Sequence, residues 1–413
     1  MQRLSSHWLR MGTLLLCMHA ATAAAATDLA ERRVTVGGFG TIAMLYQNED
    51  GIEYRRFVGQ PHGAEADKLD FATDTIGGLQ LNAAWNQQLD AVVQAVTRLN
   101  SNNNWDPQLT RAFVRWNPSE TFTARVGRLG LEIYPRADSR DVGYSQLPIR
   151  PAVEVFGLSP VDRFDGGEIA FKRPLGDGLI SFKLWGGRGG GDIVAQDGSI
   201  SNVDGSMLWG AHVEYAQGPW IFRIGSGAIN LDEPIQFGGL VEALRATGVP
   251  QSIALANDLD DKARKTWFHV AGITYDEGPT QVRLFAAHVD TETKGSPSAN
   301  VGQIVGGYRI GTFTPYATFS FCKSDGDIRE TGLEGMPELA ALDAAARMTQ
   351  EAFRYGQHSL ALGLRWDFMP KLALKFQVDQ VWLNESNLVL DKRTDRSGDA
   401  ELTVFGVALD FVF

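Results

Sequence analysis

Basic side chains recur at alternate positions in segments whose remaining positions are apolar. In a β-strand, side chains two residues apart point to the same face, so each basic residue would lie opposite an apolar face. A wall of cations can attract and orient anions, although it supplies no nucleophile for covalent catalysis. The basic residues of this kind are Arg115, Arg125, Lys172, Lys183, Arg223, Arg283, Arg365 and Lys375. The acidic residues on the same faces are fewer, namely Glu168, Glu214, Asp367, Asp379 and Asp410.

A second group of charges lies in the long connection 130–165. Prolines at 135, 148, 151 and 160 would stiffen this connection, because the proline ring fixes φ. A stiff, charged segment inside a water-filled space can set a local field that sorts ions. The alternative is an ordinary surface loop with solvated charges. The candidate residues are Glu132, Arg136, Asp138, Arg140, Asp141, Arg150, Glu154 and Arg163.

No pattern typical of an enzyme, metal site or cofactor site accompanies these charges. The sequence has no Gly-x-Ser-x-Gly motif, and no Ser/His/Asp grouping stands out. His269 and His288 are isolated and lack the spacing of metal ligands. The net charge of −11 disfavours nucleic-acid binding, because an acidic protein repels phosphates. We therefore predict a protein that is not an enzyme and that needs no metal and no cofactor.

The N-terminal segment predicts export. Arg3 and Arg10 precede an apolar or small-residue run that ends in alanines at 24–26, which is typical of a cleaved signal peptide. We predict a signal peptide over 1–26 and a folded domain over 27–413. The domain keeps a single cysteine, Cys322, so no intramolecular disulfide can stabilise it.

The domain consists of segments near ten residues long in which apolar and polar residues alternate. This period of two predicts strands rather than helices. Alanine-rich stretches at 337–353 and 239–247 are the exceptions and predict short helices within loops. Sixteen strands are predicted, at 34–46, 73–86, 89–99, 109–117, 121–129, 166–173, 178–187, 206–217, 219–230, 266–276, 280–291, 301–310, 314–324, 357–368, 371–383 and 401–413.

Short and long connections alternate strictly between these strands, as in transmembrane barrels with short periplasmic turns and long extracellular loops. A secreted antiparallel sandwich is the alternative, but strands of this length match a tilted membrane crossing. Aromatic residues near the turns suggest an interfacial belt: Trp116, Phe122, Trp220, Tyr275, Phe313, Tyr316 and Phe368. The predicted fold class is all-β, a sixteen-stranded antiparallel transmembrane β-barrel.

The export signal, the strand count, the ARVGRLG segment at 124–130 and the terminal Phe413 together resemble the Gram-negative outer-membrane porins. The resemblance covers the chain from about Val34 to Phe413, although the PEFGG loop motif of enterobacterial porins is absent. It implies that loop 130–165 folds into the lumen as a pore constriction and that Phe413 is an assembly signal for the barrel-assembly machinery. It also implies a homotrimer in the lipid bilayer of the outer membrane.

The resemblance implies a channel for passive diffusion of small hydrophilic solutes and ions. A sixteen-stranded barrel is wide enough for water, and the surplus of arginine on its wall and loop predicts mild anion preference. Three alternatives remain open at this point. They are a channel selective for phosphate or dicarboxylate, a barrel-anchored binding or adhesion protein, and an outer-membrane hydrolase.

Overall fold

The structure, a computed structural model, describes residues 33–196, 198–232, 237–260, 265–292, 296–351, 353–384, 386, 388–393 and 399–413. The predicted signal peptide lies outside the described residues. Within these ranges, no helix combines the length and the apolar character needed to cross a membrane.

Sixteen antiparallel strands form one closed barrel, which confirms the predicted fold class. Each strand pairs with its neighbours in sequence, and the first pairs with the last to close the sheet. The barrel strands are β1 (Arg33–Gln47), β2 (Ile76–Ala84), β3 (Leu89–Arg98), β4 (Gln108–Ser119), β5 (Phe122–Gly130), β6 (Arg163–Leu175), β7 (Gly178–Gly189), β8 (Ser206–Gln217), β9 (Trp220–Asn230), β10 (Lys265–Glu277), β11 (Thr280–Thr291), β12 (Ala299–Tyr308), β13 (Phe313–Ser324), β14 (Gly356–Met369), β15 (Leu372–Leu383) and β16 (Ala400–Val412).

The outer face of the barrel is apolar. Val126, Ile224 and Leu362 expose 67%, 64% and 61% of their surface although they lie at the middle of strands. Their neighbours along the strands, such as Arg125 and Arg223, point to the inside, where they bond other lumenal groups. A soluble protein rarely exposes a continuous apolar band of this kind, whereas a barrel in a membrane requires one.

One end of the barrel, called here the turn end, carries only short connections of two to four residues after the even-numbered strands up to β14. Gly176, Gly218, Gly278 and Gly311 lie in four of these turns with φ between 54° and 63°. Glycine has no Cβ, so it adopts this left-handed conformation without strain. The opposite end, called the loop end, carries the long connections, which confirms the predicted alternation.

Aromatic pairs join adjacent strands near the turn end. Trp220 and Tyr275 have ring centroids 4.7 Å apart, and Phe313 and Trp366 lie 5.7 Å apart. The prediction that Tyr316 belongs to the same outer belt is wrong. Tyr316 is buried on the lumenal face, where its hydroxyl donates to the side chain of Gln377.

Four α-helices are described in the connections: α1 (Val153–Phe156), α2 (Gly238–Ala246), α3 (Pro250–Leu259) and α4 (Ala340–Glu351). The last three pack on one another through a small apolar cluster that includes Val241, Leu255 and Ala346. Helices α2 and α4 fall where the alanine-rich stretches predicted them. The larger core lies inside the barrel toward the loop end and includes residues of several connections.

Phe413 lies at the seam where β1 meets β16. Its backbone N–H donates to the carbonyl of Gly38 at 3.0 Å. A Cβ atom at residue 38 would lie 2.3 Å from the phenyl ring, so only glycine leaves room for the ring. The terminal residue therefore takes part in barrel closure, while its role as an assembly signal stays a prediction.

Candidate functional site: a loop anchored across the lumen

The connection 131–162, called here the lumenal loop, lies inside the barrel and contacts opposite walls. Glu132 near its start accepts from Arg223 of β9 at 3.0 Å. Arg150 near its middle donates to Asp379 of β15 at 2.7 Å. The predicted limits of 130–165 include the ends of two strands, and Arg163 is the first residue of β6 rather than part of the loop.

An ion-pair network holds the start of the lumenal loop. The Glu132 carboxylate lies 2.6 Å from Lys183 Nζ and 3.0 Å from Arg223. Lys183 also lies 3.7 Å from Glu168, which accepts bidentate hydrogen bonds from Arg125. Three predicted wall cations therefore have carboxylate partners, which reduces the positive field that they project into the lumen.

The oxygens of Glu132 and Glu214 and a ring nitrogen of His212 lie within 4.8 Å of one another. This donor set is suitable for a metal ion in principle. However, Lys183 and Arg223 already lie against the Glu132 carboxylate, and a bound cation would have to displace them. The arrangement is therefore an ion-pair network rather than a metal centre.

Glu132 makes the attachment of the lumenal loop sensitive to acid. Burial alone would raise the pKa of Glu132, but Lys183 and Arg223 outweigh that effect and lower the pKa to about 2. A carboxyl whose pKa is lower in the folded state stabilises that state above its ordinary pKa of 4.5 and loses this contribution as pH falls toward 2. We expect Glu132→Gln to destabilise the barrel at pH 7 and to flatten the loss of stability between pH 4.5 and 2. Thermal unfolding in detergent as a function of pH measures both effects, and an unchanged pH profile would contradict them.

A second network holds the middle of the loop deep inside the barrel. Arg150 lies between Asp74 and Asp379, and Arg56 pairs with Asp74 from the other side at 3.3 Å. Arg150 also donates to the hydroxyl of Tyr54 at 3.2 Å. Asp74 and Arg150 expose only 1% and 3% of their surface, so neither charge faces a water column.

Glu154 is also buried, on helix α1. Its carboxylate accepts from the Ser320 hydroxyl at 2.7 Å and from the Gln357 amide at 2.8 Å. The sequence predicted that Arg150 and Glu154 line an aqueous constriction. The structure corrects this prediction, because both side chains anchor the loop to the wall instead.

Two wall residues form hydrogen bonds with the backbone of the lumenal loop. The ammonium of Lys375 lies within 3.0 Å of the carbonyls of residues 143, 146 and 148, and it also pairs with Asp410 at 2.7 Å. Arg365 donates to the carbonyls of Tyr144 and Gln146. These cations are part of the support of the loop and, in the case of Lys375, fully buried.

The third anchored part of the loop faces β3. Arg98 pairs with Asp141 at 2.8 Å and with Asp162 at 2.5 Å, and Arg140 lies 3.1 Å from Asp162. Arg163 also pairs with Asp162, at 2.8 Å. Asp138 is exposed, and its backbone carbonyl accepts from Arg111.

The remaining predicted wall cations are Arg115, Lys172 and Arg283. Arg115 pairs with Asp90 on the adjacent strand at 2.9 Å, and Lys172 is exposed. Arg283 lines a small cavity together with the loop residue Arg136. Most of the predicted site residues therefore take part in ion pairs or hold the loop, whereas Arg136, Lys172 and Arg283 have no ion-pair partner within the described residues.

The loop also packs through apolar side chains. Tyr134 stacks on Phe285 of β11 at 5.9 Å between centroids, and Phe156 meets both rings edge-on. These residues belong to the core that fills part of the barrel interior. The loop is thus a packed element with one apolar side, and the charged segment hanging in water that the sequence suggested is not observed.

Sequence reasoning missed the residues of the first long connection, 48–75. Arg55 is fully buried and donates to the carbonyls of Val58, Val194 and Leu388, which belong to three different connections. Asp74 and Arg56 join the network of Arg150. The adjacent arginines at 55 and 56 were the only sign of this network in the sequence. A pair of basic residues within a polar loop usually indicates a solvated surface, so the pair did not predict burial.

No protein-family model matches the sequence, and no curated protein shows significant similarity to it. Solved structures do share its fold. The outer-membrane channel DcaP of Acinetobacter baumannii is 13% identical over 94% of this chain and 99% of its own, with a TM-score of 0.55. OmpF of Salmonella typhi, solved with daunomycin, is 11% identical over 94% and 100%, with a TM-score of 0.54. The anion-selective porin of Comamonas acidovorans is 14% identical over 93% and 100%, with a TM-score of 0.53. The closed barrel and these likenesses together show that the chain has the fold of the sixteen-stranded outer-membrane porins.

Proposed function

We propose that the protein is an outer-membrane channel through which small hydrophilic solutes and ions diffuse passively. The observation that carries this proposal is a closed sixteen-stranded barrel with an apolar outer band and a charged lumen crossed by an anchored loop. Such a barrel is too wide for wall side chains alone to fill. In the outer membrane, its turn end would face the periplasm and its loop end the exterior.

The packing of the loop inside the lumen supports a channel for small solutes rather than large ones. The lumenal loop is packed against β11 and β15, and Arg55 ties three connections together near the loop end. These contacts favour a narrow path over the wide opening of an unobstructed barrel. A channel selective for phosphate or dicarboxylate therefore remains the second candidate, and liposome swelling with those anions and with neutral sugars separates the two.

We further propose a mild preference for anions. The cations Arg283, Arg136 and Lys172 have no ion-pair partner within the described residues, whereas most lumenal carboxylates are paired. Planar bilayers in a KCl gradient measure the preference, and we expect a reversal potential that indicates chloride permeating faster than potassium. A potential of the opposite sign would contradict this, and the absence of any conductance would contradict the channel itself.

The homotrimer, the barrel-assembly machinery as partner and export by a cleaved signal peptide remain predictions that accompany this proposal. Light scattering of the detergent-solubilised protein tests the trimer, and N-terminal sequencing of protein purified from the membrane tests cleavage after residue 26. A barrel-anchored hydrolase would instead show activity on lipid or peptide, and an assay of the purified protein tests this.

A further inference from the structure

Arg136 and Arg283 line a small cavity between the lumenal loop and the barrel wall. Pro135, Gln146 and Pro148 contribute from the loop side, and Gln303 contributes from β12. The cavity has a volume of about 10 Å³, which suits one small ion or water molecule.

Three polar side chains in this lining, those of Arg136, Arg283 and Gln303, can donate to a bound group, and one nitrogen of Arg136 also donates to the carbonyl of Ser145. Within the described residues, the Nε of Arg283 is buried without a hydrogen-bond partner. Gln303 exposes only 7% of its surface and lines the same cavity. Buried polar groups are normally satisfied, so the open Nε of Arg283 beside this cavity indicates a missing acceptor.

The electrostatics also favour an acceptor that carries negative charge. Arg136 exerts the largest charge interaction on Arg283, and the two have the same sign. None of the described residues that line the cavity is a carboxylate. Asp138 acts on Arg136, and Asp276 of β10 acts on both arginines, but within the described residues neither carboxylate forms an ion pair with them. Other lumenal cations, such as Arg125, have a carboxylate in direct contact.

The backbone conformation of Arg136 indicates that a side chain is needed at this position of the loop. This residue adopts φ 62° and ψ 18°, a left-handed conformation that side chains other than glycine rarely take. Strained positions of this kind concentrate at binding sites. The loop therefore holds a guanidinium at a position where its own backbone would be more stable with glycine.

We propose that Arg136, Arg283 and Gln303 form a binding site for one small anion of about the size of chloride on the path through the barrel. This inference rests on the proposed channel function and names the solute class that the site selects. The two guanidinium groups would compensate the charge of the anion, and the Gln303 amide would complete its donors. The fixed wall of β11 and β12 supplies two of the three groups, and the loop supplies the third.

Arg283→Gln and Arg136→Gly test the site, the latter because glycine is suited to the left-handed backbone at 136. Arg115→Gln is the matched control, since it removes one lumenal charge that is already paired with Asp90. We expect both site variants to reduce the chloride-to-potassium permeability ratio several-fold in planar bilayers, while the control changes it little. Equal changes in all three variants would indicate a diffuse field and overturn the site.

A second measurement does not depend on conductance. Crystals of the wild-type protein soaked in bromide should show anomalous density between Arg136 and Arg283, and crystals of Arg283→Gln should not. If the wild-type protein conducts no ions but binds bromide there, the channel proposal fails and the anion site stands. If it conducts but shows no bromide at this position, the site fails and the channel proposal stands.

Discussion

Asp74→Asn is expected to release the middle of the lumenal loop and to destabilise the barrel strongly. The substitution removes the carboxylate that lies between Arg56 and Arg150, so Arg150 would keep only Asp379 and Arg56 would lose the carboxylate that it pairs with. Removing one partner of a buried ion pair typically costs about 3–5 kcal/mol, because the remaining charge is desolvated without compensation. The loss should affect the loop first, since Arg150 is the buried anchor of its middle.

Two measurements test the effect of Asp74→Asn. Unfolding of the detergent-refolded protein in urea should shift to lower denaturant, and the open-channel current in planar bilayers should become larger and noisier as the loop moves. Lys68→Gln provides the control, because the Lys68–Glu65 pair is exposed and such pairs contribute about 0–1 kcal/mol. If Asp74→Asn behaved like this control, the buried network would not be what holds the loop.

Lys375→Met is the second change with a large expected effect. The substitution leaves Asp410 without its cation in a position where both side chains are fully buried, with only the Thr41 hydroxyl still donating to it. It also removes the contacts to three loop carbonyls. We expect the barrel to lose about 3–5 kcal/mol of unfolding free energy and the segment 143–148 to loosen.

The double variant Lys375→Met/Asp410→Asn separates these two consequences. Replacing both members of a buried pair by neutral groups is far less damaging than removing one of them, so most of the stability should return. The loop carbonyls would still lack their donor, and proteolysis or current noise should therefore still report a mobile loop. Recovery of both properties in the double variant would show that Lys375 matters only as the partner of Asp410.

The effects expected for Asp74→Asn and Lys375→Met differ from those expected for the variants of Arg136 and Arg283. Asp74 and Lys375 hold the loop in position, whereas Arg136 and Arg283 are proposed to act on the permeating ion. Variants of the first kind should change conductance and noise for all ions together. Variants of the second kind should change the ratio between chloride and potassium with little change in unfolding.

The barrel was predictable because its signal is local. Each strand alternates between lipid-facing and lumenal residues along its own ten or so positions, and a side chain such as Leu362 needs only its own register to be assigned outward. The tight turns also indicate where the strands end, since Gly218 and Gly278 mark strand reversals directly in the sequence. For the same reason the basic wall residues could be assigned to the inner face.

The interior of the barrel was less predictable because its contacts join distant segments. Arg150 meets Asp74 and Asp379 across separations that no spacing rule covers, so the sequence did not indicate that these charges pair. Tyr316 illustrates the same limit at the turn end, where one aromatic residue among several points inward to reach Gln377. Sequence alone also gave no indication that Arg55 links three connections.

The sequence by itself determined the strand number, the alternation of turns and loops, and the division into an apolar outer face and a charged inner face. All three follow from the two-residue period within single strands. Only the tertiary structure decided which charges are neutralised within the barrel and which, like Arg283, have no ion-pair partner within the described residues. The physical reason is that charge compensation depends on distances between strands and loops far apart in the chain. A cation and its partner become a pair only after the barrel has closed around both.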